Sequence, residues 1–149
     1  MKIIANNKKA NHDYFINEKF EAGLVLTGSE VKSLRINTGS IKESYITDKQ
    51  GELWLTNCYI KKYSSSNESS DTNRDRKLLV SKKELHKILG ASKKEGMTIV
   101  PIILYFNTKG LAKLTIGIAK GKKKQDKRHS IKDKEWSIKQ QRLVKNRLI

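Results

Sequence analysis

The sequence predicts a mainly β fold: a small, closed or nearly closed antiparallel barrel of about six strands with two or three short helices, followed by a basic C-terminal arm. Three observations carry this. Short β-prone runs recur along the first 120 residues, joined by turn-type sequences. Two separate Ser/Thr-x-x-Glu boxes mark short helix starts. Charge is also split unevenly: residues 120–149 hold twelve Lys or Arg against three acidic residues, a net of +9 out of +17 for the 149-residue chain.

Taken in order, residues 1–12 are basic and turn-rich and read as an arm or a strand entry. Tyr14-Phe-Ile and Leu24-Val-Leu are short β-prone runs. Thr27-Gly-Ser-Glu30 is a capping box in which hydroxyl and carboxylate satisfy free N–H groups at a helix start. That helix should turn Val31 and Leu34 inward, keep Lys32 and Arg35 outside and stop by Gly39. Tyr45-Ile-Thr, Asp48-Lys-Gln-Gly51 and Leu53-Trp-Leu-Thr predict a hairpin with Gly51 in its turn and pairing extended to Tyr59-Ile60. Residues 64–75 contain no apolar side chain, which predicts a flexible loop. Order resumes at Arg76-Lys-Leu-Leu-Val. A second box, Ser81-Lys-Lys-Glu84, opens a helix with Leu85, Ile88 and Leu89 on one face and Gly90 near its end. Met97-Thr-Ile-Val, Ile102–Phe106 and Leu111–Ala119 are the strongest strand signals, with Asn107-Thr-Lys-Gly110 as the turn between the last two. Pro101 implies an edge or a bulge. Hairpin-joined strands of this kind suit a barrel related to the oligonucleotide-binding fold. The expected division is 1–123 as barrel and 124–149 as tail.

Composition narrows the function. Hydrophobic residues are 36% and charged residues 32%, polar but adequate for one core. No apolar run approaches a membrane span, and the N-terminus lacks a signal-peptide pattern, so the expected location is cytoplasmic with no membrane partner. The single cysteine, Cys58, excludes an intrachain disulfide and reads as a small buried hydrophobe. The apolar residues of the arm scatter around a helix instead of forming one stripe, which favours a groove with several walls, as RNA offers, over a bilayer; a solvated tail is the bland alternative. The 15 acidic residues are dispersed and His12, beside Asp13, has no convergent partner, so neither a nuclease nor any other catalytic or metal site is predicted and no cofactor is implied. His86, on a Lys-rich helix, should be solvated. Arg35, Arg74, Arg76 and Lys77 flank apolar elements and could share a basic face with Lys120, Lys122 and Lys123. A structural ribosomal protein, or a general RNA-binding protein with a basic arm, fits these features too.

Four runs are more specific: Lys9-Ala-Asn-His-Asp-Tyr-Phe-Ile16, Phe20-Glu-Ala-Gly-Leu-Val-Leu-Thr-Gly-Ser-Glu-Val-Lys-Ser-Leu-Arg35, Arg76-Lys-Leu-Leu79, and Ile116-Gly-Ile-Ala-Lys-Gly-Lys-Lys123 followed by Asp126-Lys-Arg128. In order, spacing and length they closely resemble the bacterial SsrA-binding protein family, SmpB. The resemblance implies a non-catalytic adaptor of trans-translation: a barrel that grips the tRNA-like domain of transfer-messenger RNA (tmRNA), and a tail, disordered when free, that becomes helical in the empty mRNA channel of a stalled ribosome. Its implied partners are tmRNA, ribosomal RNA near the decoding centre, and elongation factor Tu indirectly through charged tmRNA; a monomer is expected. Lys9, His12, Glu21, Arg35, Arg76, Lys77, Leu79, Lys120, Lys122 and Lys123 become the expected tmRNA-binding set, with Glu21 and Leu79 matching family positions directly. Glu21 would accept a hydrogen bond from a base, against the alternative of a rim carboxylate paired to Lys or Arg. Ser81 stands where the family commonly has Asn, and its shorter reach argues for the capping role instead. Asp126, Lys127, Arg128, Lys132, Glu135 and Trp136 match the family's tail motifs, with Trp136 stacking in the ribosome or docking back on the barrel.

Overall fold

The computed structural model describes residues 1–36, 39–63 and 72–122. In chain order these form β1 (Lys2–Asn6), α1 (Lys9–Asp13), β2 (Tyr14–Leu24), α2 (Gly28–Ile36), β3 (Tyr45–Lys49), β4 (Glu52–Thr56), β5 (Arg76–Leu79), α3 (Lys82–Ser92), β6 (Met97–Phe106) and β7 (Ala112–Gly121). All seven strands join one antiparallel sheet in the order β1-β6-β7-β2-β5-β4-β3. The sheet curls until β3 packs near β6, but the edge strands β1 and β3 are not paired with each other. The predicted barrel is therefore present as a strongly curved, incompletely closed sheet.

Local signals translate directly. Thr27 N–H donates to Glu30 Oε1 at 2.9 Å and Glu30 N–H to Thr27 Oγ1 at 3.2 Å, the full capping box of α2. At α3, Glu84 N–H donates to Ser81 Oγ at 3.2 Å. The β3–β4 hairpin turns through Gln50 and Gly51, both at positive φ (54° and 77°), the left-handed pair that a two-residue hairpin loop demands. At Pro101 the β6–β7 pairing is bulged. β1 ends opposite that point, where Asn7 N–H donates to Ile102 O at 2.8 Å and Asn7 Nδ2 to Pro101 O at 3.0 Å.

Other elements differ from expectation. The first thirteen residues make both β1 and the short α1. The runs at 14–16 and 24–26 are not two strands: β2 is one strand of 11 residues that pairs with β7 along nearly its whole length, with a bulge between Ile16 and Glu18 and with Phe15, Asn17, Lys19 and Glu21 exposed on its outer side. Pairing at Tyr59 is a lone bridge to Ser40, separate from the hairpin. α3 continues past Gly90 to Ser92. Of the predicted flexible loop, residues 64–71 lie outside the described residues; Thr72 is bonded to the body, its carbonyl accepting from Ile60 N–H at 3.0 Å. The tail 124–149 also lies outside them.

The core fills the concave side of the sheet, with Leu34 of α2, Ile88 of α3 and Leu53, Leu55, Leu104, Leu114 and Ile116 of the strands all buried. Cys58 is among them, and burial pushes its thiol up to about 11, so it is an inert, neutral packing group. A smaller cluster of Ala10, Val100, Ile102 and Ala119 lies under α1.

Candidate nucleic-acid interface

The register across four strands builds the outer face. Tyr105 of β6 stands opposite Lys113 of β7, Lys113 opposite Gly23 of β2, and Gly23 opposite Leu79 of β5. Residues two apart along a strand share a face, so Glu21 lies beside Gly23 and Lys77 beside Leu79. Gly23 keeps this row low: a Cβ there would meet Leu79 Cβ at 3.4 Å. Leu79 is 52% exposed, a large apolar side chain left in solvent. Glu21 points outward; Tyr105 Oη donates to its Oε2 at 2.5 Å, and Lys113 Nζ lies 3.9 Å from Oε1. Burial, and next the bond to Glu21, raises the Tyr105 phenol to about 12, so the hydroxyl stays protonated and donates. Lys77 Nζ reaches Glu52 Oε1 at 3.0 Å. The face thus combines an aimed carboxylate acceptor, an exposed apolar platform and lysines at its margin. A carboxylate held this way has the chemistry to accept from base N–H groups, and neighbouring lysines can offset its repulsion of phosphate.

A second group of the predicted residues gathers around α1. Lys9 and His12 sit on α1, and Lys120 and Lys122 at the end of β7. His12 Nδ1 is 3.0 Å from Asp13 Oδ1. Lys122 N–H donates to Asp13 O at 2.8 Å, its Nζ donates to Asn11 O at 3.1 Å, and its ammonium lies 4.8 Å from the centre of the Phe15 ring. Lys9, Lys42, Tyr14 and Tyr45 line an adjoining cleft of about 150 Å³. Phe15 and Gly23, which mark the two groups on β2, are eight residues apart, roughly 26 Å along the strand. The single shared basic face expected from the sequence is therefore divided in two.

Two arginines leave that face altogether. Arg76 is 0% exposed and faces the core side, because β5 alternates it with the outward Lys77. Its Nε donates to Glu30 Oε2 at 2.6 Å, Nη1 to Cys58 O at 2.5 Å and Nη2 to Thr72 O at 3.1 Å. Arg74 Nη2 donates to Glu30 Oε1 at 2.5 Å. The expected RNA role of Arg76 is thus corrected: a fully buried guanidinium bonded to a buried carboxylate and two carbonyls is not presented to phosphate. Arg35 is exposed at the end of α2, where its carbonyl accepts from Lys2 Nζ at 3.0 Å. Lys123 and the tail residues Asp126, Lys127, Arg128, Lys132, Glu135 and Trp136 lie outside the described residues. Sequence reasoning missed Tyr105 and Lys113; the alternation of the last two strands put them on the outer face, but only the register places them beside Glu21. Among the described residues no three His, Cys, Asp or Glu side chains converge on a metal site, and no helix is long and apolar enough to cross a membrane.

The outer face makes a specific demand on Glu21. Glu21→Gln is expected to weaken RNA binding by about 1–2 kcal/mol, because an amide keeps the shape but loses the charged acceptor. The melting temperature should hold, since the side chain is 56% exposed. Titration calorimetry beside thermal melts checks both; a destabilised variant with normal affinity makes Glu21 a fold residue.

The family model described as SmpB protein matches residues 4–146. An SsrA-binding protein of Wolbachia pipientis subsp. Culex pipiens is 50% identical over 149 residues, covering 99% of this chain and all of that one. Those of Jannaschia sp. and Rickettsia bellii are 52% and 51% identical, covering 97% and 98% of this chain and 92% and 97% of theirs. A solved chain described as "tmRNA-SmpB: a journey to the center of the bacterial ribosome" superposes with a TM-score of 0.66 at 42% identity, covering 85% of this chain and 92% of that one.

Proposed function

The chain belongs to the SmpB protein family, and from that premise we propose how its surface works. It is a tmRNA-binding adaptor of trans-translation, and its partners are tmRNA and the ribosome. The observation that carries the reading is the outer face: Glu21 aimed by Tyr105, with Leu79 exposed beside it, on a sheet whose family holds tmRNA. This face takes the tRNA-like domain, Glu21 accepting from a base and Leu79 packing against base or sugar. The α1 end, with Lys9, His12, Lys120 and Lys122, takes the RNA that surrounds the body on the ribosome. Residues 1–123 act as the binding body and 124–149 as the arm that enters the empty mRNA channel, where Asp126, Lys127, Arg128, Lys132 and Trp136 make its contacts. The protein works as a cytoplasmic monomer without catalysis of its own and meets elongation factor Tu only through charged tmRNA.

A reconstituted translation system tests this. The purified protein should bind the tRNA-like domain and restore tagging of peptides on ribosomes stalled without a stop codon. It should also leave ribosomal subunits under a high-salt wash, as a structural ribosomal protein does not. Absence of tagging with intact RNA binding would remove the adaptor role.

A further inference from the structure

α3 carries a surface that the reading above does not use. Within the helix every exposed residue is basic except one: Lys82, Lys83, His86 and Lys87 on the first two turns, then Gly90. The C-cap Lys93 and the following Lys94 continue the row. Lys83, Lys87 and Gly90 lie on one line of the helix, successively about 6 Å and about 4.5 Å apart at 1.5 Å per residue, and Lys94 follows just beyond the C-cap, its N–H donating to Ala91 O at 3.2 Å. A solvated helix face has no need of a glycine there. Glycine lowers helix stability in such a position, yet a Cβ at Gly90 would meet nothing within 4 Å, so no neighbour in the described chain excludes a side chain. The glycine borders a cleft of about 470 Å³ between α3 and the strands, floored by Ala91, Met97 and Ile118. The one carboxylate lining it, Glu18, is already paired with Lys87 at 2.7 Å.

We propose that α3 is a second docking surface for tmRNA, with the RNA backbone lying along the basic row and passing closest over Gly90. A line of cations selects a polyanion, and a missing side chain in its middle gives a sugar–phosphate backbone room to approach the helix. Continuity with the outer face selects the same RNA molecule. α3 begins three residues after Leu79, and Lys77, Leu79, Val80 and Leu85 line one groove that joins the two surfaces. This inference rests on the tmRNA-binding reading and extends it from one face to two.

The test uses the full chain, the isolated tRNA-like domain and purified ribosomes. Replacing Lys83, Lys87 and Lys94 together by Gln should weaken binding to the tRNA-like domain roughly tenfold and lower the salt slope of log K by about 2. Gly90→Gln should raise the melting temperature by about 2–4 °C, as a glycine replaced inside a helix does, while weakening the same RNA roughly tenfold by occupying the approach. Glu21→Gln should weaken binding with the salt slope unchanged, which separates the two surfaces. An unchanged slope in the triple variant, or a stabilised Gly90→Gln that binds normally, overturns the proposal. So does a triple variant that loses only ribosome affinity, since the row would then serve ribosomal RNA. Failure of the wild-type chain to bind the tRNA-like domain overturns the tmRNA reading itself, and this inference with it.

Discussion

Arg76→Met is expected to remove about 3–5 kcal/mol of folding stability, the usual cost of stripping one partner from a buried ion pair. That is a large share of the roughly 5–15 kcal/mol that holds a domain folded. Glu30 is only 5% exposed and ties α2, the 72–74 segment and β5 together through Arg74 and Arg76. Removing Arg76 also orphans the Cys58 carbonyl and takes one of two donors from the Thr72 carbonyl, which Ile60 N–H still serves. Urea unfolding measures the loss. A phosphate-binding Arg76 would behave in the opposite way, leaving stability within about 1 kcal/mol while RNA affinity fell. Below the transition, the folded variant should still bind RNA normally. The network also sets a pH dependence. Burial pushes the Glu30 carboxyl up, but hydrogen bonds from Arg74, Thr27 N–H and Arg76 outweigh it, so its pKa lies below the ordinary 4.5. A carboxyl with a depressed folded pKa adds stability above its unfolded pKa and loses that contribution as pH falls through the folded one. The stability gap between wild type and Glu30→Gln should therefore be full above about pH 5 and close as the solution is taken well below 4.5.

Separation of binding from tagging is the second large expected effect. Deleting residues 129–149 should leave affinity for the tRNA-like domain within roughly tenfold, make the salt slope of non-specific binding shallower, and bring tagging to background. The argument starts from sequence. Residues 131–148 contain neither Pro nor Gly and, as a helix, would span about 26 Å. A helix of that length crowded with like charges is marginal in water, so the expectation is a segment that folds only where ribosomal phosphates neutralise it. An mRNA-filled channel would leave it no such place, so on this expectation folding of the tail would report an empty channel. Trp136→Ala, and separately Lys127 and Arg128 reversed to Glu, should each spare tmRNA binding and stop tagging. Wild-type tagging by both variants would take the tail out of the mechanism; loss of tRNA-like domain binding on truncation would overturn the division at residue 123.

What the sequence by itself determined lies within short spans. The Thr27–Glu30 box, the Ser81 cap, the Gln50-Gly51 turn and the Pro101 bulge each depend on hydrogen bonds or φ angles within a few residues, so residue type and spacing suffice to read them. The charge division between body and arm is likewise a property of composition. The family motifs pointed to Glu21 and Leu79 without saying what surrounds them. Tertiary structure alone decided the rest, because it depends on strand order and register. Glu21 and Tyr105 are 84 residues apart in sequence, and Glu30 and Arg76 are 46 apart. Arg76 and Lys77 are equally basic neighbours, and a one-residue change in the register of β5 would exchange which is buried and which is exposed. Core packing of Leu78 beside Arg76's side of the strand fixes that register. It sends Arg76 to Glu30 and leaves Lys77 and Leu79 on the outer face proposed to meet RNA.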